Sequence, residues 1–261
     1  MRPGVPLAVM MTLLAGAAVF AQDAFDYVGR YEDAERVVQE DSPTDQFIFA
    51  RLVYNGVEPY YIKNWYTDWP KADRQLIAGI QRLSNVNIAD QERVVALDDP
   101  RLFEYPFLYT SEPGQIVLTD EDARILREYL DRGGLWVVDD FWGSFEWNNF
   151  QRQVARIFPD GEIRDIPRNH PILHCFYDID HLVQVPSLDY VNTGVVVEQD
   201  GFEPYLRGIW DDDTDRLMVV INHNTDLGDA YEHADHPLYP HAFSGFAYRM
   251  AMNFMIYALT S

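Results

Sequence analysis

The chain has 261 residues, enough for one large domain or two small ones, and 48% apolar with 14% aromatic residues gives it the material for a substantial core. Its 42 acidic residues outnumber 20 basic ones, leaving a formal net charge of -22. That charge argues against DNA, RNA or anionic lipid as partners, because each needs Lys or Arg to neutralise phosphate. The single cysteine, Cys175, excludes an internal disulfide or a Cys-rich zinc site.

Arg2 precedes an apolar run from Val5 to Ala21 that ends Val19-Phe20-Ala21 and passes into polar Gln22-Asp23. This pattern predicts a secretory signal peptide over 1–21, cut after Ala21, and hence an exported, periplasmic or secreted protein; an uncleaved N-terminal membrane anchor is the alternative. No later segment is apolar and long enough to span a bilayer, so no integral span is expected after cleavage. Residues 22–45 are acidic and aperiodic and read as a linker or N-terminal arm, with one α/β domain over 46–261.

The β-rich run Phe47–Tyr54 is closed by Asn55-Gly56, and an aromatic loop with Tyr60, Tyr61, Trp65, Tyr66 and Trp69 follows. Thr67 or Asp68 is expected to cap a helix whose first turn holds Pro70 and whose apolar face is Leu76, Ile77, Ile80 and Leu83. A short strand over Arg93–Leu97 ends in Asp98-Asp99-Pro100, and Phe107–Thr110 reads as another. Thr119 with Asp122 forms a capping-box start for a helix that Gly133 stops. Leu135–Val138 is continuously apolar, as a central parallel strand covered on both faces must be, and it ends in Asp139-Asp140. A helix fits Phe145–Ile157. Leu217–Ile221 is a second buried strand, ending in Asn222-His223-Asn224, and a nearly all-apolar helix over Gly245–Leu259 closes the chain. Strands alternating with helices predict a layered α/β domain with a mostly parallel central sheet.

Ligands of such sheets bind beyond the carboxyl ends of the strands. The polar residues expected there are Tyr109, Asp139, Asp140, Asn222, His223 and Asp226, with Asp98 and Asp99 at the end of a further strand. Carboxylates in that place can bind a hard cation or act as acid and base; equally, an Asp after a strand can cap the next helix. All seven histidines lie in the C-terminal part, among them His170, His174, His233, His236 and His241, without zinc-site spacing. Asp211, Asp213 and Asp215 alternate like early calcium-loop ligands, but Arg216 replaces the glycine such loops need, so an acidic turn between two strands is the better reading. No Gly-x-Ser-x-Gly, phosphate-binding loop or dinucleotide fingerprint is present. No cofactor is expected, and no metal is assigned. Trp65, Trp69, Trp142 and Trp147 offer stacking faces for carbohydrate, or else pack the core.

Several segments together resemble the DUF4159 family: Phe49-Ala50-Arg51-Leu52-x-Tyr54, Trp65-Tyr66-Thr67-Asp68-Trp69-Pro70, Tyr105-Pro106-Phe107-Leu108-Tyr109, and Leu130-x-x-Gly133-Gly134 running to Asp139-Asp140. They continue with His170-Pro171-x-x-His174, Asn224-Thr225-Asp226-Leu227-Gly228-Asp229 and Asn253-Phe254-x-Ile256-Tyr257-Ala258. The resemblance implies a flavodoxin-like, class I glutamine amidotransferase-like sandwich. It also implies that Asp139-Asp140 stands in the turn where catalytic relatives carry a nucleophilic Cys, which makes glutaminase chemistry unexpected, since a carboxylate forms no thioester. The expected function is a non-glutaminase module that binds a small molecule or an envelope protein. The alternative is a carboxylate-based hydrolase, with or without a metal's assistance, in the same strand-end cleft.

Overall fold

The computed structural model describes residues 45–56 and 64–261. The expected signal peptide at 1–21 and the arm at 22–45, apart from Asp45, lie outside the described residues. In chain order the elements are β1 (Ala50–Val53), β2 (Asn55–Gly56), α1 (Lys71–Leu83), β3 (Arg93–Ala96), β4 (Phe107–Ser111), β5 (Ile116–Val117), α2 (Asp120–Asp131), β6 (Leu135–Asp139) and α3 (Gly143–Ile157). Then come β7 (Arg164–Asp165), a single turn α4 (Tyr190–Thr193), β8 (Tyr205–Trp210), β9 (Leu217–His223), α5 (Leu227–Glu232) and α6 (His241–Thr260).

The central sheet has seven strands in the order β3-β1-β4-β6-β9-β8-β7. β3, β1, β4, β6 and β9 are all parallel to their neighbours, whereas β8 runs antiparallel to β9 and β7 antiparallel to β8. Counting only the five parallel strands in chain order, the sheet reads 2-1-3-4-5, the flavodoxin-like order. The chain switches winding direction between β1 and β4, and a crevice opens at the carboxyl ends there. β6 and β9 lie side by side in the middle, as their unbroken apolar runs require, and every residue of both is buried.

Period-two alternation splits each strand between two helical layers. Phe107, Tyr109, Leu135 and Val137 join the apolar cluster built with Leu76 and Ile77 of α1 and Phe246 and Met250 of α6. α5 packs against α1 and α6 in the same layer, while α2 packs on α3. On the second face Trp136 packs against Phe150 of α3 and donates from Nε1 to Thr110 Oγ1 at 2.8 Å. Among the described residues no helix is long and apolar enough to cross a membrane.

Local signals fare unevenly. The Thr119–Asp122 capping box forms at the start of α2 as expected. α1 does not begin on a Thr67 or Asp68 cap: Pro70 holds the cap position, no side chain caps the helix, and Thr67 Oγ1 accepts instead from Asn64 N at 3.1 Å. Leu83, expected on the buried stripe, is 48% exposed: it is the last residue of the helix, where Gln81 and Arg82 are exposed as well. Asn55-Gly56 is not a closing turn but a short antiparallel pairing with β5.

Candidate functional site

The carboxyl ends of β4, β6 and β9 share a backbone device. Glu112, Asp140 and Asn224, each the first residue past its strand, sit in the left-handed region at φ of 53°, 60° and 60°. Asp68, in the loop leading to α1, joins them at φ 64°. A non-glycine residue rarely adopts this conformation, and Asp and Asn do so most readily. The left-handed step turns the chain sharply at the strand ends, and two of these residues, Asp68 and Asp140, themselves line the crevice.

Asp139 and Tyr109 face the layer of α1, α5 and α6. Tyr109 donates its hydroxyl to Asp139 Oδ2 at 2.9 Å, and the same oxygen accepts from the backbone N–H groups of Leu227 (3.0 Å) and Gly228 (3.1 Å). Asp139 Oδ1 is buried and accepts no hydrogen bond. Burial, and then the neighbouring Asp140, pushes the Asp139 carboxyl up to about 8 against the pull of those three donors.

One residue further on, Asp140 meets Asp226 from the end of β9 and Asp68 from the loop after β1. One carboxylate oxygen from each of the three lies within 4.8 Å of the others. Asp226 caps α5 through Oδ1, which accepts from Asp229 N at 2.7 Å, and Asp140 Oδ1 accepts from Trp142 Nε1 at 3.3 Å. Asp68 Oδ2 is sealed from solvent and accepts nothing. Burial first, and then the surrounding acids, holds the carboxyls of Asp68 and Asp226 well above the usual carboxylate range. The three line a cleft of about 690 Å³ together with Asp189, Glu198 and Asp229, and no Lys, Arg or His stands among its described lining residues.

Among the described residues, Arg51 and His233 are both tied into ion pairs. Arg51, fully buried on β1, donates Nε to Asp73 Oδ2 at 2.9 Å and Nη2 to Oδ1 at 2.5 Å, and gives Nη1 to the carbonyls of Trp65 and Thr67. That grip fixes the segment that presents Asp68. His233, on the far side of Asp229, places Nε2 at 3.3 Å from Asp229 Oδ1 and 3.2 Å from Glu232 Oε2, and these two carboxylates raise it to about 9.

Of the residues expected from sequence, Asp140 and Asp226 line the cleft, Tyr109 and Asp139 bond to one another at the adjoining strand ends without lining it, and Asn222 and His223 do neither. β9 runs on through His223, and alternation turns that ring to the face of α3. There it stacks on Trp147 at 4.7 Å and lies tilted against Phe141 at 4.9 Å, with Nε2 3.2 Å from the Gly143 carbonyl oxygen. Burial lowers it to about 4. Asn222 is buried and its Nδ2 donates to nothing. At the end of β3, Asp99 caps a 3₁₀ turn and pairs with Arg101, and Asp98 is exposed. Asp211 Oδ1 accepts from the N–H groups of Asp213 and Thr214, which makes 211–216 a tight acidic turn between β8 and β9. Trp65, Trp69 and Trp142 are buried, and Trp147 is covered by His223 and Arg207. Sequence reasoning missed Asp68, Asp189, Glu198 and Asp229. Of these only Asp229 carried a signal, three residues after Asp226 in a short run that also contains Gly228.

A search among curated proteins returns no match. Residues 48–259 match the model of the family described as Domain of unknown function (DUF4159); the match takes in every strand of the sheet and the whole described cleft, and the chain belongs to that family.

Proposed function

We propose that this chain is an exported, non-glutaminase binding module whose strand-end cleft takes a positively charged small ligand. The observation that carries this reading is the charge of the wall: six carboxylates, with no basic side chain among the described lining residues. A phosphorylated metabolite, a nucleic acid strand or an anionic lipid would find no basic partner among the described lining residues, whereas a cation would relieve the crowding of acids there. Glutaminase chemistry is disfavoured because Asp140 occupies the elbow, and the Cys175 thiol is occupied elsewhere, donating to the Asn253 carbonyl of α6 at 3.2 Å. Export rests on the apolar run ending at Ala21. N-terminal sequencing of envelope material should begin at or near Gln22.

Equilibrium dialysis of the purified chain against calcium, magnesium and spermidine tests the cleft. Wild type should take up at least one of them saturably. Asp140→Asn, which suits a left-handed backbone as well as Asp does, should weaken that uptake by about tenfold. Uptake by neither protein would sink the reading.

A second reading, a carboxylate-based hydrolase, is favoured by one observation. Asp140 sits at φ 60° between β6 and α3, the sharp strand-to-helix turn that exposes nucleophiles in related architectures. Turnover of chromogenic esters or phosphoesters, abolished in Asp140→Asn, would favour it over simple binding.

A further inference from the structure

The geometry points to a divalent-cation site formed by Asp68, Asp140 and Asp226, with calcium the ion it fits best. This rests on the reading of the cleft as a cation site and specifies the cation. Three acidic side chains near one another are common without an ion, so the inference stands on two further observations.

The first concerns Asp68. Its Oδ2 is out of contact with solvent and accepts no hydrogen bond, although a buried carboxylate oxygen ordinarily has at least one donor. It points toward the cluster: a Cβ added at Gly228 would lie 2.3 Å from this oxygen, 3.2 Å from the Tyr109 hydroxyl and 3.5 Å from Asp226 Oδ1. The absence of a side chain at position 228 is therefore what makes room for the Asp68 carboxylate beside Asp226. An oxygen held in such a place, with no donor to stabilise it, has the environment of a ligand atom rather than of a structural acceptor.

The second is the donor set. One oxygen from each of the three carboxylates lies within 4.8 Å of the other two, close enough to share one ion. Magnesium is usually held by one or two carboxylates and keeps several of its waters, whereas calcium takes about six to eight oxygens in a flexible shell, so three converging carboxylates suit calcium better. An all-carboxylate donor set without sulfur or imidazole selects hard cations over zinc or copper. The three ligands come from the ends of β6 and β9 and from the segment that Arg51 clamps, so none depends on a long unanchored loop. Water completes the coordination.

The test is isothermal titration of the full chain, freed of metal on a chelating resin, with calcium chloride, magnesium chloride and spermidine. Wild type should bind calcium saturably and more tightly than magnesium. Asp68→Asn should weaken calcium binding at least about tenfold, and it should leave the melting temperature of the metal-free protein unchanged or raised, because Oδ2 serves no fold contact. Asp140→Asn is the second variant and should weaken binding likewise. Asp211→Asn, in the acidic turn between β8 and β9, should bind as wild type does. Calcium binding unaltered by Asp68→Asn and Asp140→Asn, or lost in Asp211→Asn, would overturn the site. Spermidine binding without calcium or magnesium binding would overturn the metal site and leave the cationic cleft standing; no binding of any of the three would overturn both.

Discussion

Arg51 shows how a single buried charge organises the functional edge of an acidic protein. Its guanidinium is fully enclosed, paired with Asp73 of α1 and bonded to two carbonyls of the segment before α1, and it lies 4.9 Å from the centre of the Tyr109 ring. Removing it leaves Asp73 buried without compensation, so Arg51→Met is expected to cost about 3–5 kcal/mol in urea denaturation. The double variant Arg51→Met/Asp73→Leu should recover most of that loss; a double as unstable as the single would show that the carbonyl bonds, not the ion pair, dominate. His223 gives a prediction in pH. Burial holds its folded pKa at about 4, partly offset by the Gly143 carbonyl and reinforced by Arg207, against an ordinary value of 6.5. A depressed histidine stabilises the fold fully above pH 6.5, and that contribution is lost as pH falls toward 4, because the unfolded chain binds the proton first, at up to about 1.4 kcal/mol per pH unit. Asp139, raised to about 8, acts with the opposite sign: its buried neutral form favours the fold increasingly as pH falls from 8 toward 4. Comparing wild type with His223→Phe between pH 7 and 4 isolates the histidine. A flat difference curve would mean that the ring is not held neutral by the fold.

At the scale of elements, the meeting of α5 with β6 matters most. Leu227 and Gly228 begin α5 and turn two N–H groups onto Asp139, and the bare Cα of Gly228 admits the Asp68 carboxylate. Gly228→Ala is therefore expected to cost about 1–3 kcal/mol through overpacking and to displace Asp68 from the cluster, with cation uptake falling along with stability. Calorimetry and dialysis on one preparation would check both, and unchanged uptake would show that Asp68 has room elsewhere. The same elements show what a sequence can and cannot disclose. β6, β9 and α2 were legible because each carries a complete local signal: an unbroken apolar run or a capping box. β8 was legible only as an unbounded strand before the 211–216 turn, because Arg207 and Gly208 break its apolar pattern, and α5 was missed because six residues are too few to display a helical period. Asp139, Asp140 and Asp226 were legible as acids that follow apolar strands. Asp68 was not, since nothing local distinguishes an acid that caps a helix from one that reaches across to another strand's end. His223 was misplaced because the expected strand stopped at Ile221, two residues short of the observed end; inside the strand, alternation fixes the face of a ring that a loop would have left free.

For the molecule as a whole, the mostly parallel α/β class was readable from alternating element types and from the DUF4159 resemblance. The strand order, and with it the switch point between β1 and β4, is a matter of pairing between distant segments that no local pattern encodes. The order also has a consequence at the margins of the sheet. Its two most apolar strands are held in the interior, while the strands at either end are short: β3 has four residues, and β7 has only two, Arg164 and Asp165, both exposed. A long bare edge is what allows one copy of a β protein to template another, and charged, abbreviated margins deny that template. A chain that crowds so many aromatic and branched residues into one sheet is thereby protected from growing into fibrils by the same arrangement that centres its cleft.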